Sequence, residues 1–155
     1  MNAPLYNTEI LRLAATIPHQ ARLDAPMGSS EKRSPICGSR VTVDVNLGDD
    51  GRVSDVGMLV RACALGQASS SLLSADVIGK SPEELAAARD ALTAWLAGEG
   101  TLPEWAGFEL FQPALPHSAR HASIRLAFEA AAEAAEQAQL RRAPSPQTEE
   151  LRGAG

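Results

Sequence analysis

Two cysteines, Cys37 and Cys63, are the residues of this chain best suited to chemistry, and each sits among small neighbours, PICGS at 35–39 and RACALGQASSS at 61–71. A thiolate is a nucleophile and a soft metal ligand, whereas a buried thiol is simply a small hydrophobe that packs well. In a reducing compartment the two are expected to be free, catalytic or metal-binding rather than joined in a structural disulfide. Shared chemistry requires the chain between them to fold back on itself, and the intervening pattern predicts this. Val41, Val43 and Val45 alternate with Thr42, Asp44 and Asn46, the period of a half-buried strand. Gly48-Asp49-Asp50-Gly51 follows with residues that tolerate positive φ. A second strand is expected from about Arg52 to Arg61, apolar at Val53, Val56, Met58 and Val60. Such a hairpin returns Cys63 to the end at which Cys37 entered.

The elements around the hairpin read mainly as helices. Tyr6 to Ile17 carries Ile10, Leu11, Leu13 and Ala14 on one stripe after a polar Asn7-Thr8 start, and Pro18 closes it. His19 to Pro35 mixes Pro26, Gly28, Ser29 and Ser30 with the charged Glu31-Lys32-Arg33, which predicts an irregular, mobile segment with room for one weak edge strand. From Ala64 to Ile78 the small run Ala68 to Ser71 suits a helix lying close on the sheet. Cys63 would then stand at its N-terminus, where the helix dipole favours an anionic sulfur. Ser81-Pro82-Glu83-Glu84 is a capping box with Pro at the first helical position, and its helix turns Leu85, Ala88, Leu92, Trp95 and Leu96 inward. Gly98 to Pro116 is loop-like, with Trp105, Phe108 and Phe111 expected to pin it to the body. The last helix, roughly His121 to Leu140, has Ile124, Ala127, Phe128, Ala131, Ala135 and Ala138 inside and Glu129, Glu133 and Glu136 in solvent. Residues 143–155 offer nothing to bury and read as a disordered tail after one domain at 1–142. The predicted class is α+β, a small antiparallel sheet packed against several helices on one face.

Composition narrows the function classes. A chain of 155 residues, 45% hydrophobic, suits one core. Net charge −5 without a block of Lys and Arg argues against nucleic acid as a partner. Residues 1–20 are interrupted by Asn2, Asn7, Glu9, Arg12 and Gln20, so no signal core or membrane span is expected and the location is read as cytoplasmic. Phosphate-binding loop, nucleophile-elbow and His-Glu-x-x-His patterns are absent. The Ser69-Ser70-Ser71 run has no paired base beside it, and helix packing accounts for it better than nucleophilic chemistry.

Several of these residues together resemble the IscU/NifU/SufU-type iron–sulfur cluster assembly scaffolds. The matches are Tyr6, Ile10, Leu11 and Pro18 in the first helix; Cys37-Gly38 before the first long strand; Cys63 followed at family spacing by Ala68 to Ser71; Gly79-Lys80-Ser81 at a helix break; and His121 before the final helix. The stretch from about Trp95 to Gln112 is similar to the insertion of the SufU branch. The sequence departs from the family where Ser39 replaces an Asp, where Ala122 replaces a third Cys, and where only Leu115-Pro116 is left of a chaperone-recognition segment. Ser39 is otherwise expected to be a polar turn residue, His19 a solvated loop residue, and His117 a residue outside the last helix. The resemblance implies a scaffold or carrier, not an enzyme, that transiently binds iron or a [2Fe-2S] cluster through Cys37, Cys63 and His121. It implies sulfur supplied by a cysteine desulfurase and work with other iron–sulfur assembly proteins. Two thiols and one imidazole are one donor short of a closed four-ligand site, leaving a position for solvent, a partner residue or an exogenous thiol. Two other readings stay open: a degenerate paralogue kept as a binding or regulatory module, and an accessory to sulfur transfer in which zinc poises a thiolate. Oligomeric state is not legible in the sequence.

Overall fold

Val41, Val43 and Val45 decide the architecture, because all three are fully buried on one face of a strand whose other face is also covered. The computed structural model describes residues 7–35 and 38–142; Tyr6, Cys37 and the expected tail at 143–155 lie outside the described residues. The strands are β1 (Gly28–Arg33), β2 (Arg40–Leu47) and β3 (Val53–Arg61), antiparallel in the order β1-β2-β3. The hairpin expected from the alternation is present, running from Arg40 opposite Arg61 to Leu47 opposite Val53 with an irregularity at Asn46/Leu47 beside the turn.

The edge strand β1 is firmer than its composition suggests. It pairs with β2 from Gly28 opposite Val45 to Arg33 opposite Arg40, and its inner face is held by a helix more than a hundred residues away. The hydroxyl of Ser30 donates to Glu133 at 2.6 Å, and Lys32 Nζ stands 2.6 Å from the same carboxylate. Glu133, expected in solvent, is therefore an anchor of the sheet, and its carboxyl is held below the ordinary range chiefly by Lys32 and then by Ser30.

Four α-helices complete the described fold: α1 (Thr8–Ala15), α2 (Ala64–Asp76), α3 (Pro82–Leu96) and α4 (His121–Arg142). Helix α4 lies on the inner face of the sheet with Ile124, Ala127, Phe128, Ala131, Ala135 and Ala138 buried, as the periodicity predicts. Helix α3 begins with the expected capping box, Ser81 and Glu84 bonding each other's backbone N–H. In α1 only Ile10 is fully buried; Leu11, expected inside, is 51% exposed, because one short helix needs only a narrow stripe to cover α2. The serines of α2 act as cross-links. Ser69 donates to the Ile124 carbonyl, Ser71 to Thr16 and Ser74 to Pro18. The expected loop at 98–116 contains a 3-10 turn at Phe108–Ala114, and its aromatics do pin it: Trp105 meets Phe128 edge-on at 5.1 Å and gives its indole N–H to the Leu72 carbonyl.

The outer face of the sheet is crossed by residues 16–27, and the part of the stretch expected to be mobile that begins at His19 is here clasped by a buried carboxylate. Asp44 accepts from Arg22 Nε at 2.6 Å and Nη2 at 3.1 Å, from Ser29 Oγ at 2.6 Å and from the Leu23 N–H at 3.1 Å. Burial, the largest single influence, pushes the Asp44 carboxyl up, but the bonds from Arg22, Ser29 and Leu23 together outweigh it and hold it below the ordinary range. Across the ladder from Asp44 stands Gly57; a methyl there would overlap the Ala21 carbonyl, so glycine is what lets the crossing segment reach the carboxylate.

Candidate metal centre

Cys63 sits where β3 ends and α2 begins. It is the N-cap residue of α2, with extended backbone angles, and its carbonyl accepts the Gln67 N–H at 2.9 Å. Its side chain makes no capping bond, and the thiol is free and half-buried. The Ala-Leu-Gly-Gln-Ala run after it lets α2 start close to α4: a methyl on Gly66 would meet Ala62 and the Ser123 carbonyl.

The connection that carries Cys37 leaves the sheet at the same end. Arg33, Arg40 and Arg61 are in register, so the 34–39 connection and the β3–α2 junction are neighbours at one edge. The connection is closed by backbone bonds from Ser34 N–H to Ser39 O at 2.8 Å and from Gly38 N–H to Ser34 O at 3.0 Å. Cys37 itself is outside the described residues. Ser39 is not a solvated turn residue; it is 3% exposed, with its hydroxyl 3.4 Å from that of Ser123. The start of α4 thereby joins both thiol-bearing segments, through Ser39 on one side and through Ser69 and Ile124 on the other.

His121 opens α4 and is buried. Its Nε2 lies 3.0 Å from the carbonyls of both Ala114 and Leu115. Carbonyls can only accept, so Nε2 carries a proton, and in the neutral ring Nδ1 holds the lone pair. The ring thus staples the end of the aromatic loop to α4 and keeps one basic nitrogen, the arrangement in which an imidazole is oriented for metal binding by a backbone oxygen behind it. Ala122 beside it is half-buried. His117 is exposed at the cap of a separate 3-10 turn, and His19 is exposed, with its backbone in the left-handed region and its carbonyl accepting from Met58. Among the described residues no three His, Cys, Asp or Glu side chains form a set that could hold a metal ion.

A cavity of about 470 Å³ lies elsewhere, between α3 and residues 101–105, lined by Lys80, Ala88, Pro103 and Trp105 among others and by neither Cys nor His. Among the described residues no helix is long and apolar enough to cross a membrane. The Arg22–Asp44 clasp was legible only as one acid between Val43 and Val45 in the middle of a strand.

Residues 5–142 match the family model described as the NifU-like N terminal domain. The chain is 40% identical to a nitrogen-fixing NifU-like protein (N-terminal) from Brucella abortus, with a TM-score of 0.83 over 90% of this chain and 96% of that one. A SUF-system iron–sulfur cluster assembly scaffold protein from Fervidobacterium islandicum shares the fold at 19% identity, with a TM-score of 0.77 over 84% of this chain and 96% of that chain. The iron–sulfur cluster assembly scaffold protein IscU of Streptococcus pyogenes is 30% identical over 81 residues, 52% of this chain. That match spans 50% of the relative's length.

Proposed function

The chain belongs to the NifU-like N-terminal domain family of iron–sulfur scaffolds, and on that premise we propose that it is a scaffold or carrier whose cargo is iron or a [2Fe-2S] cluster, held transiently by Cys37, Cys63 and His121. The observation that carries this reading is a free thiol at the start of α2 and, at the start of the helix α4 that packs on α2, a buried imidazole whose Nε2 is already committed to two carbonyls. Thiolate and imidazole are donors that iron–sulfur clusters accept. Both occur at the end of the sheet from which the 34–39 connection departs.

The role of each residue follows from its chemistry. Cys63 supplies a sulfur at the positive end of α2, and the second thiol comes from Cys37. His121 supplies Nδ1 in a fixed orientation. Ala122 and Ser39 stand where the family has Cys and Asp, so the fourth position is left to solvent, a partner residue or an exogenous thiol. An incomplete shell binds less tightly and releases more readily, which suits a carrier that takes sulfur from a cysteine desulfurase and hands its cargo on.

Anaerobic reconstitution with ferrous iron and sulfide tests this. The wild type should develop the visible absorption of a cluster and lose most of it on gel filtration, whereas Ala122→Cys should retain more iron and sulfide per chain. Cys63→Ser should take up none, and His121→Ala should lose cargo beyond any loss of thermal stability. If wild type and Ala122→Cys both remain colourless, the reading fails and the fold serves as a binding module; if they take up zinc but no cluster, the three donors are a zinc site.

A further inference from the structure

Three arginines stand side by side across the end of the sheet that leads to Cys63. The register sets Arg33 opposite Arg40 and Arg40 opposite Arg61, and strand alternation turns all three to the outer face, away from α4. Arg33 Nε is 3.0 Å from Glu31 and Arg40 Nε is 3.7 Å from the same carboxylate. Arg61 is exposed and makes no ion pair among the described residues. One carboxylate thus answers two of the three guanidinium groups, a local charge of +2 from three positive and one negative in a chain of net −5. Like charges directly opposite each other on a sheet cost stability, and packing does not call for Arg33 or Arg61 here, since the Arg33 side chain is 65% exposed and Arg61 is exposed too.

The crossing segment 16–27 covers the row of Ser29, Asp44 and Gly57 and leaves the arginine row open. Beside that row on the same face lies Leu59, a large apolar side chain 40% exposed. Cys63 follows Arg61 by two positions, and the 34–39 connection joins Arg33 to Arg40.

We infer that this row is a docking surface for a short acidic segment of a partner protein, placed so that the docked partner's reactive group comes over Cys63. What passes between them rests on the function proposed above; the docking does not. Guanidinium forks bind carboxylates through paired N–H donors, and Leu59 offers an apolar contact next to them. The row spans three strands, about 10 Å at strand spacing, which matches a few residues of peptide. Farther along the outer face Asp55 and Asp24 are exposed, so a nucleic-acid strand running beyond the row would meet repulsion where it needs further phosphate contacts.

The test uses a fluorescein-labelled hexaglutamate peptide at low salt, read by anisotropy. The wild type should bind it, Arg61→Gln should bind at least 5-fold more weakly, and Arg40→Gln with Arg61→Gln at least 10-fold more weakly. Arg52→Gln, in the turn at the opposite end of the hairpin, should bind as the wild type does. Arg61→Gln should melt no lower than the wild type, because it relieves repulsion, so weaker binding cannot be put down to unfolding. The wild type should bind the peptide whether or not anaerobic reconstitution gives it a cluster, which separates a failure of docking from a failure of the cargo reading. Absence of binding by the wild type, or undiminished binding by the double variant, overturns the inference. So does tighter arginine-dependent binding of single-stranded DNA or of vesicles containing phosphatidylserine.

Discussion

Asp44 shows how one side chain can settle a face of the sheet. A carboxylate with no exposed side-chain surface is costly unless its oxygens are fully bonded, and here four donors from Arg22, Leu23 and Ser29 supply those bonds. They draw the 16–27 segment across β2 despite left-handed backbone at His19 and Ala25, which costs energy in residues other than glycine. Asp44→Asn keeps the volume and removes the charge. It should destabilise the protein by about 2 kcal/mol, the scale of a hydrogen bond to a charged group, moderated because Arg22 is half exposed. Urea denaturation measures this. The folded-state pKa of Asp44 is depressed, so its contribution is complete above the unfolded pKa of about 3.9 and vanishes as pH falls through the lower folded value. The stability gap between wild type and variant should be full at pH 6 and close in acid; a gap independent of pH would mean the clasp is not electrostatic.

At the scale of elements, sequence legibility followed the range of the interactions. The β2–β3 hairpin, the α3 cap and the buried stripe of α4 are set by neighbours within a few residues, and all were readable from alternation, capping chemistry or helical period. Strand β1 was readable only as room for one weak edge strand, because what makes Gly28–Arg33 a firm one is Val45 to Arg40 on one side and Glu133 and Ala134 of α4 behind it. The candidate site was legible in the same measure. The spacing of Cys63 before a small-residue helix gave its place, whereas the carbonyls of Ala114 and Leu115 that hold His121 and the burial of Ser39 against Ser123 depend on tertiary packing. At Gly28 the backbones of β1 and α4 come close together: a methyl there would overlap the Ala134 carbonyl and crowd the Ala138 N–H. Gly28→Ala should therefore cost about 1–3 kcal/mol through overpacking. Gly48→Ala, whose nearest contact is the Asp50 side chain at 3.3 Å, should cost little. Equal losses in a denaturant titration would show that the cost is one of glycine backbone freedom rather than of contact.

Across the whole molecule, one end of the sheet gathers segments from three separate parts of the chain. The 34–39 connection, the β3–α2 junction and the start of α4 meet there, tied by Ser39 to Ser123 and by Ser69 to the Ile124 carbonyl, while the 48–51 turn closes the opposite end of the hairpin. In the unfolded chain the proposed donors Cys37, Cys63 and His121 are far apart in sequence, so cargo that uses all three binds the folded form preferentially and stabilises it by mass action. At a free concentration 100 times the dissociation constant the gain is about 2.7 kcal/mol, which for a domain of this size raises the melting temperature by roughly 5–11 °C at about 2–4 °C per kcal/mol. Anaerobic melting with increasing ferrous iron should show that rise in the wild type and lose it in Cys63→Ser. Amide exchange should slow at 38–40, 63–67 and 121–124 together, with the 48–51 turn unchanged. Protection confined to 63–67 would instead mean that the metal rests on Cys63 alone and that the three segments do not act as one site.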